Sequence, residues 1–247
     1  MFINVEDKKI IVRYYGENLV LPNHISEKVN AKWEEIRKEN PSLWNGEIQC
    51  VSKIKINNDS IELICKKSTY AHYLYGERIG LPKEYECRNI SAGVLLETKD
   101  GYFTICELDD NTSYPGVLQV PGGNIDKKDI FEYEINYLKT IIRETIEEIN
   151  IDLNDKKIVK AYKVSGFYNA DEGLQPGVQI FAIAKLNILK DELEEHFKKY
   201  YKYLKENNGE IEIKKLHFLN KGKCIEELEK KKKKKRTYLK GLLENSI

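Results

Sequence analysis

One segment constrains the fold of this chain more than any other: the stretch from Ile135 to Ile149, which follows a Pro121-Gly122-Gly123 turn. Wound as a helix at about 100° per residue, its apolar side chains fall within one arc of about 100°. The residues of that arc are Ile135, Leu138, Ile142, Thr145, Ile146 and Ile149. Glu144, Glu147 and Glu148 fall within a second arc of about 100°, almost opposite. We therefore predict a helix from about Asp129 to Ile149 with one face in a core and three carboxylates displayed on the other.

Three glutamates on one helical turn repel each other. Side chains three and four positions apart lie about 5–6 Å from each other at Cβ, and like charges there cost a few tenths of a kcal/mol. Arg143, four residues before Glu147, offsets only part of this repulsion. A divalent cation would turn the repulsion into coordination, because Mg²⁺ prefers oxygen ligands. In a chain that is 33% charged, the simpler interpretation is a solvated helix face.

The residues on either side of the helix favour a binding site over a solvated face. Gly122 and Gly123 follow a short predicted strand, and without side chains they let the backbone come close to a ligand. Asn150 stands where the helix should end, and asparagine is second to glycine in a left-handed helix cap. The pattern thus predicts a strand, a tight glycine turn and a capped helix.

Residue patterns elsewhere predict an α/β fold in two parts. Strands are expected at 48–56, 60–66, 90–97, 102–108, 117–120, 158–165, 178–187 and 210–219. Helices are expected at 26–39, at 190–206 and at the C-terminus. We also expect a hairpin at 10–20 and a short aromatic helix or turn at 68–82. The pattern changes near residue 87. We therefore divide the chain into a small N-terminal α+β domain, residues 1–87, and a larger α/β domain, residues 88–247.

Composition excludes several other classes of site. The five cysteines form no C-x-x-C pair, which fits reduced thiols better than a disulfide framework. The four histidines lie far apart, so a zinc site has little to build on. No apolar run approaches the roughly 18 residues of a membrane span. We expect a cytoplasmic protein that has no membrane partner.

The run Arg143-Glu144-x-x-Glu147-Glu148, with Gly123 upstream, resembles the Nudix box. This resemblance implies a Nudix α/β/α sandwich with a mixed sheet, here preceded by the small N-terminal domain. Gly123 and Arg143 enclose 19 residues, six more than the usual pattern. The first glutamate of the box is therefore not placed, and the candidates for it are Asp129, Glu132 and Glu134.

The same resemblance implies a reaction and a set of roles. Nudix hydrolases cleave a nucleoside diphosphate linked to a second group, using Mg²⁺, with Mn²⁺ as an alternative. It implies that Glu144, Glu147 and Glu148 are metal ligands, and that Gly123 contributes its carbonyl oxygen. Glu147 or Glu148 would also orient or deprotonate the attacking water. Arg143 would hold a glutamate in place by ion pairing.

Candidate substrate ligands lie outside the helix as well. Gly122 is expected beside the substrate, and Asp171 and Glu172 lie in a loop between two predicted strands that could reach the site. These two acidic residues are candidates for the general base, which Nudix enzymes take from different places. The alternative is that Asp-Glu-Gly is simply a turn.

Further islands of sequence resemble the UDP-glucose/UDP-galactose diphosphatase branch of the Nudix family. They include the stretch LPNHISEKVNAKWEEIRKENPSLWNG, the tract YAHYLYGE, and the segments VPGGN and EEINI. This resemblance implies a nucleotide-sugar substrate, cleaved to UMP and a sugar 1-phosphate. Tyr70, Tyr73, Tyr75 and Arg78 would then form a cluster able to stack on a base. Alternatively, these tyrosines pack the two domains together.

The lysine run, Lys230 to Lys235 followed by Arg236, is open to two interpretations. Basic side chains bind phosphate backbones, which would favour RNA ends or dinucleoside polyphosphates as substrates. Glutamates four residues before several of the lysines instead favour a solvated C-terminal helix, which we prefer. Nucleic acid is therefore not the expected partner, and a homodimer stays open. A non-catalytic module that binds a nucleotide or a partner protein is the third alternative.

Overall fold

The computed structural model describes residues 1–5, 8–41, 43–170 and 177–247. The strands are β1 (Phe2–Asn4), β2 (Lys9–Asn18), β3 (Glu47–Ile56), β4 (Ser60–Thr69), β5 (Asn89–Glu97), β6 (Tyr102–Leu108), β7 (Leu118–Gln119), β8 (Gly122–Asn124), β9 (Ile130–Phe131), β10 (Glu134–Ile135), β11 (Val159–Ala170), β12 (Gly177–Leu186) and β13 (Ile213–Asn220). The helices are α1 (Asn23–Glu39), α2 (Tyr70–Ile79), α3 (Tyr137–Ile149), α4 (Lys190–Glu206), α5 (Cys224–Lys230) and α6 (Tyr238–Glu244). Most of the predicted strands and the helices α1 and α4 are therefore confirmed.

The strands form one large mixed sheet, which confirms the predicted α/β class. Its main path runs β1-β11-β12-β5-β3-β4-β2-β10-β9, and β6, β7, β8 and β13 pair beside that path. The β12–β5 and β2–β4 pairs are parallel, and the other pairs of named strands are antiparallel. Strand β5 is buried over almost its whole length, as expected for a central strand covered on both faces.

Helix α3 packs against β5 and β8 at the centre of the molecule. Ile141 and Ile149 are fully buried and fix the helix to the core. The Asn136 side chain accepts a hydrogen bond from the Lys139 N–H at 3.2 Å and caps the first turn. Asn150 ends the helix in the left-handed region, with φ 57° and ψ 39°, which confirms the predicted cap.

The predicted faces and start of this helix are wrong in two respects. Ile146 is 37% exposed, whereas Glu144 and Glu148 are buried, because the buried face of α3 is rotated toward strands β5 and β8. The helix also begins at Tyr137 and not near Asp129. The intervening residues form a small hairpin, β9 and β10, whose Glu134 pairs with Arg13 of strand β2.

The N-terminal residues pair with the rest of the sheet. Residues 10–20 were expected to form a hairpin, but β2 is a single strand that runs parallel to β4. Strand β1 pairs with β11, and Val12 shares a hydrophobic core with Ile90. The division at residue 87 stays a prediction. No helix within the described residues is long and apolar enough to cross a membrane.

The lysine run does not form the predicted helix. Helix α5 ends at Lys230, and the chain then runs extended beside β7. The Leu118 N–H donates to the Lys234 carbonyl at 2.9 Å, and the Arg236 N–H donates to the Leu118 carbonyl at 3.0 Å. Backbone pairing with β7 therefore replaces the helical hydrogen bonds. Of the expected glutamate–lysine pairs, Glu226 with Lys230 does form, at 2.5 Å.

The left-handed cap gives a first prediction. A residue with a Cβ loses about 1–2 kcal/mol in the left-handed region, whereas glycine does not. Asn150→Ala should therefore lower the free energy of unfolding by about 1 kcal/mol relative to Asn150→Gly. Urea denaturation of the two variants measures the difference. Equal stability of the alanine and glycine variants would contradict the assignment of the cap.

Candidate active site

The Pro-Gly-Gly turn brings the backbone against two glutamates of α3. The Gly122 N–H donates to Glu148 Oε2 at 2.9 Å. Gly122 has a φ of 149°, and a Cβ there would lie 2.3 Å from the Ala92 carbonyl oxygen. At Gly123 a Cβ would lie 2.6 Å from the carboxylate carbon of Glu144. Gly122 therefore requires glycine, a side chain at Gly123 would displace the Glu144 carboxylate, and the turn lies directly against the carboxylates.

Arg143 connects the carboxylates of this region. Its Nη1 donates to Glu144 at 2.5 Å and to Glu147 at 3.1 Å. Its Nη2 donates to Asp129 at 3.0 Å and to the Asn124 carbonyl at 3.2 Å. The guanidinium thus ties α3 to the loop before it, in agreement with the positioning role expected from the sequence. Its effect on catalysis stays a prediction.

Of the three candidates for the first acidic residue of the box, Asp129 is the one that reaches Arg143. It is buried and also accepts from Thr140 Oγ1 at 2.8 Å and from the Asp126 N–H at 3.0 Å. Glu134 pairs instead with Arg13, and Glu132 is exposed with a φ of 52°. The six inserted residues therefore extend the sheet beyond β2 and leave Asp129 in the site.

A fourth glutamate joins the cluster, and the sequence did not single it out. Glu212 directly precedes β13, and its carbonyl accepts from the Asp109 N–H at 2.8 Å. Burial raises the pKa of Glu212, and the charges of Glu210 and Glu147 raise it further. The alternation Glu-Ile-Glu-Ile before Lys214 places the two glutamates on one side of the chain. Only the fold shows that this side faces α3.

Burial dominates the electrostatics of the α3 carboxylates. Glu148 is 4% exposed, and burial raises its pKa well above the usual range, assisted by Glu212 and Glu144 and opposed by the Gly122 N–H. Burial raises the pKa of Glu144 to about 7, although Arg143 acts in the opposite direction. The chain alone compensates the negative charge of these carboxyl groups poorly, so they favour the binding of a proton or of an added cation.

Glu144, Glu147 and Glu148 supply the hard oxygen donors that Mg²⁺ and Mn²⁺ take. Within the described ranges, however, no three His, Cys, Asp or Glu side chains are arranged around one metal position. Arg143 pairs instead with one oxygen of Glu144 and one of Glu147. The donor chemistry fits a divalent ion, and in this conformation Arg143 compensates part of the charge of Glu144 and Glu147.

The acidic cluster borders a cavity of about 280 Å³. Gly122, Gly123, Glu148 and Glu212 line part of its wall. Other parts of the wall come from α2, from the loop after β6 and from the C-terminal segment, through Tyr70, Tyr73, Tyr114, Arg236 and Tyr238. The cavity thus combines carboxylates with aromatic and basic side chains.

The structure brings together some of the substrate-binding candidates. Tyr70 and Tyr73 line the cavity, and their rings stack with centroids 6.2 Å apart. Tyr70 also contacts Trp33 edge-on, so this residue serves both packing and the cavity wall. Arg78 lies instead in a neighbouring hollow with Glu77. Asp171 and Glu172 lie outside the described residues.

No protein-family model and no curated protein matches the sequence. The fold is similar to a NUDIX hydrolase from Alicyclobacillus acidocaldarius, at 13% identity and TM-score 0.47, over 64% of this chain and 90% of that one. It is also similar to DR0079 from Deinococcus radiodurans, at 12% identity and TM-score 0.42, over 63% of this chain and 80% of DR0079. A C. elegans Ap4A hydrolase matches at 15% identity and TM-score 0.38, over 64% and 93%. Similarity at this level does not decide the activity of the chain.

Glu148 gives a prediction about stability and pH. Because its folded pKa is raised, the folded protein binds more protons than the unfolded chain, and stability falls as pH rises above about 4.5. Glu148→Gln keeps an acceptor for the Gly122 N–H and removes the charge. Without metal, we expect the variant to melt several degrees above the wild type at pH 8, with a smaller difference at pH 5.5.

Differential scanning calorimetry at the two pH values measures this difference. Added Mn²⁺ should then stabilise the wild type at pH 8 and leave Glu148→Gln almost unchanged. A variant that melts below the wild type at pH 8 would show that the Glu148 charge is already compensated within the chain.

Proposed function

We propose that this protein is a Nudix-type, divalent-metal-dependent hydrolase that cleaves the diphosphate of a nucleoside diphosphate linked to a second group. The observation that carries the proposal is the position of the acidic cluster. Glu148 and Glu212 line the cavity, and Glu144 lies directly against Gly123 of its wall. A solvated helix face would not bury two of its carboxylates against a glycine turn.

Glu144, Glu147 and Glu148 would hold Mg²⁺ or Mn²⁺, and the Gly123 carbonyl is the proposed fourth protein ligand. A bound ion would neutralise the charge of the diphosphate and lower the pKa of the attacking water. Arg143 supports this arrangement from the side by fixing Glu144 against Asp129. The Gly122 N–H keeps one oxygen of Glu148 in place.

Glu212 is the proposed general base. It lines the cavity beside Glu148 but lies on a different element, so it can approach the water independently of α3. Burial raises its pKa, which makes it a stronger proton acceptor than an exposed glutamate. Asp171 and Glu172 stay alternatives from the sequence. Ala170 and Gly177, the described residues before and after them in the chain, line the cavity.

A UDP-sugar is the proposed substrate, with UMP and a sugar 1-phosphate as products. The resemblance of the N-terminal tracts to the UDP-sugar diphosphatase branch supports it. A cavity of about 280 Å³ lies near the lower end of the ~300–1,000 Å³ typical of small-molecule sites, which favours a compact substrate over RNA. Tyr70 and Tyr73 offer a stacked aromatic wall for the base.

A substrate panel tests the reaction. Purified protein with Mg²⁺ is incubated with UDP-glucose, UDP-galactose, ADP-ribose, a dinucleoside polyphosphate and capped RNA, and the nucleoside monophosphate released is measured. We expect UMP from the UDP-sugars and little turnover of RNA. Turnover of RNA alone would support the alternative substrate class. Absence of turnover with Mg²⁺ and with Mn²⁺ would leave only a binding module.

Glu147→Gln tests the metal assignment within the same assay. Loss of one carboxylate ligand should lower kcat/KM by at least about 100-fold, in line with the several kcal/mol that a catalytic metal contributes. Glu195→Gln is the matched control, because Glu195 pairs with Lys199 on the exposed side of α4 and lies away from the cavity. Full activity in Glu147→Gln would remove Glu147 from the metal site.

Glu212→Gln tests the general base. We expect kcat to fall about 100-fold or more, and the acid limb of the kcat–pH profile to disappear, because that limb reports protonation of the base. Glu195→Gln is again the control, since Glu195 pairs with Lys199 on the exposed side of α4. If the kcat–pH profile of Glu212→Gln keeps its acid limb, another residue is the general base.

A further inference from the structure

One face of the central sheet forms the floor of the cavity. In the first half of strand β5, Asn89 and Ser91 are partly exposed and alternate with the buried Ile90 and Ala92. Residues two positions apart on a strand lie on the same face of the sheet. Asn89 and Ser91 both line the cavity. A strand that is otherwise apolar therefore presents polar side chains to the cavity.

Ser91 belongs to a row of neighbours that crosses four strands. It pairs with Gln179 of β12 on one side and with Asn124 of β8 on the other. Gln179 pairs in turn with Tyr168 of β11. These four residues, which we call the polar row, all line the cavity. Strands hold side chains in place more precisely than loops do, so the polar row is preorganised.

Two members of the polar row have hydrogen-bonding groups that the protein does not use. Within the described part of the chain, neither the Ser91 hydroxyl nor the Gln179 carboxamide forms a hydrogen bond with another protein group. Both groups can donate and accept, and neither carries a charge. This combination matches hydroxyl groups of a ligand, whereas phosphate recognition relies on charged donors.

The polar row adjoins the glycine turn. A Cβ on Gly93 would lie 3.3 Å from Gln179 Nε2 and 2.9 Å from the Pro121 carbonyl oxygen. Gly93 pairs with Gly122 in the sheet, and the Gly122 N–H donates to Glu148 Oε2 at 2.9 Å. The Gln179 carboxamide therefore lies beside the turn that contacts a proposed metal ligand.

The stacked rings of Tyr70 and Tyr73, the tyrosine wall, adjoin the start of β5. Tyr73 packs against a small buried cluster that contains Cys50 and Cys87. Cys50 pairs with Asn89 in the sheet, and Cys87 precedes Asn89 by two residues. Along β5, the polar row therefore lies between the tyrosine wall and the glycine turn.

We propose that Ser91 and Gln179 bind the ribose hydroxyl groups of the substrate. The inference rests on the proposed function, which assigns the base to the tyrosine wall and the diphosphate to the metal beside the glycine turn. Because the ribose connects the base to the diphosphate, a nucleotide in that orientation carries its ribose over the polar row. A site that pairs its polar groups with a substrate hydroxyl rejects an analogue that lacks it. The site should therefore select ribonucleotides.

Calorimetric titration with UMP, 2′-deoxy-UMP and 3′-deoxy-UMP, in the presence of Mg²⁺, tests this role without turnover. The wild type should bind UMP more tightly than both analogues. Ser91→Ala and Gln179→Leu should each weaken UMP binding about 3- to 10-fold, the range for a lost neutral hydrogen bond. Each variant should also lose the preference for UMP over at least one analogue, because the effects of removing two hydrogen-bonded partners do not add.

Ser52→Ala is the matched control, because the exposed Ser52 hydroxyl on β3 donates to the Ile64 carbonyl at 3.0 Å and Ser52 does not line the cavity. It should bind all three nucleotides as the wild type does. Thermal midpoints are compared with this control, and if Gln179→Leu misfolds, Ser91→Ala, which removes one oxygen atom, decides. Titration with glucose 1-phosphate should give equal affinities in the wild type and the variants.

Hydrolysis of UDP-glucose separates this inference from the proposed function. If the wild type is active and both variants keep its full preference for UMP over the deoxy analogues, the inference is wrong and the proposed function stands. If the wild type hydrolyses nothing but its preference for UMP disappears in the variants, the proposed function fails and the ribose site remains. A wild type without the preference overturns the inference. A loss seen only with glucose 1-phosphate also overturns it, since the polar row would then bind the second sugar.

Discussion

The ion pairs of Arg143 hold the site together. One guanidinium reaches α3 through Glu144 and Glu147, and the preceding loop through Asp129 and the Asn124 carbonyl. Breaking a buried pair of this kind costs about 3–5 kcal/mol, because the partner charges stay buried. The hairpin of inserted residues begins directly after Asp129 and connects this region to β2.

A second constraint is the energetic cost of the acidic cluster itself. Glu144 and Glu148 are buried next to each other and to Glu212, and the raised pKa values of all three carboxyl groups record that cost. A chain under selection for stability alone would place apolar side chains there. Destabilising charges held in a cavity wall are typical of functional sites, where a ligand supplies the missing compensation.

The sequence predicted the regular elements well, because they depend on local periodicity. Helix α1 covers the predicted range 26–39, and Asn150 adopts the expected left-handed cap. The rotation of α3 was not predictable from its own residues. Its apolar arc contains Ile146, but contacts with β5 and β8 bury Glu144 and Glu148 instead. Tertiary packing thus outweighed the helical pattern.

The missed residues share one property: they reach the site from distant parts of the chain. Glu212 lies directly before β13, and Arg236 comes from a segment whose composition favoured a solvated helix. That segment pairs with β7, and its Lys233 donates to the buried carboxylate of Glu107, a contact between residues 126 positions apart. Spacing rules within one element carry no information about such contacts.

Anomalous diffraction at the manganese edge from crystals grown with Mn²⁺ tests the central claim most directly. The buried carboxylates of α3 should then bind a divalent ion beside the glycine turn. We predict an anomalous peak in contact with Glu148 and Glu144, with Arg143 displaced from at least one of its glutamate partners. A structure in Mn²⁺ that keeps every Arg143 pair and shows no peak at these carboxylates would contradict the claim.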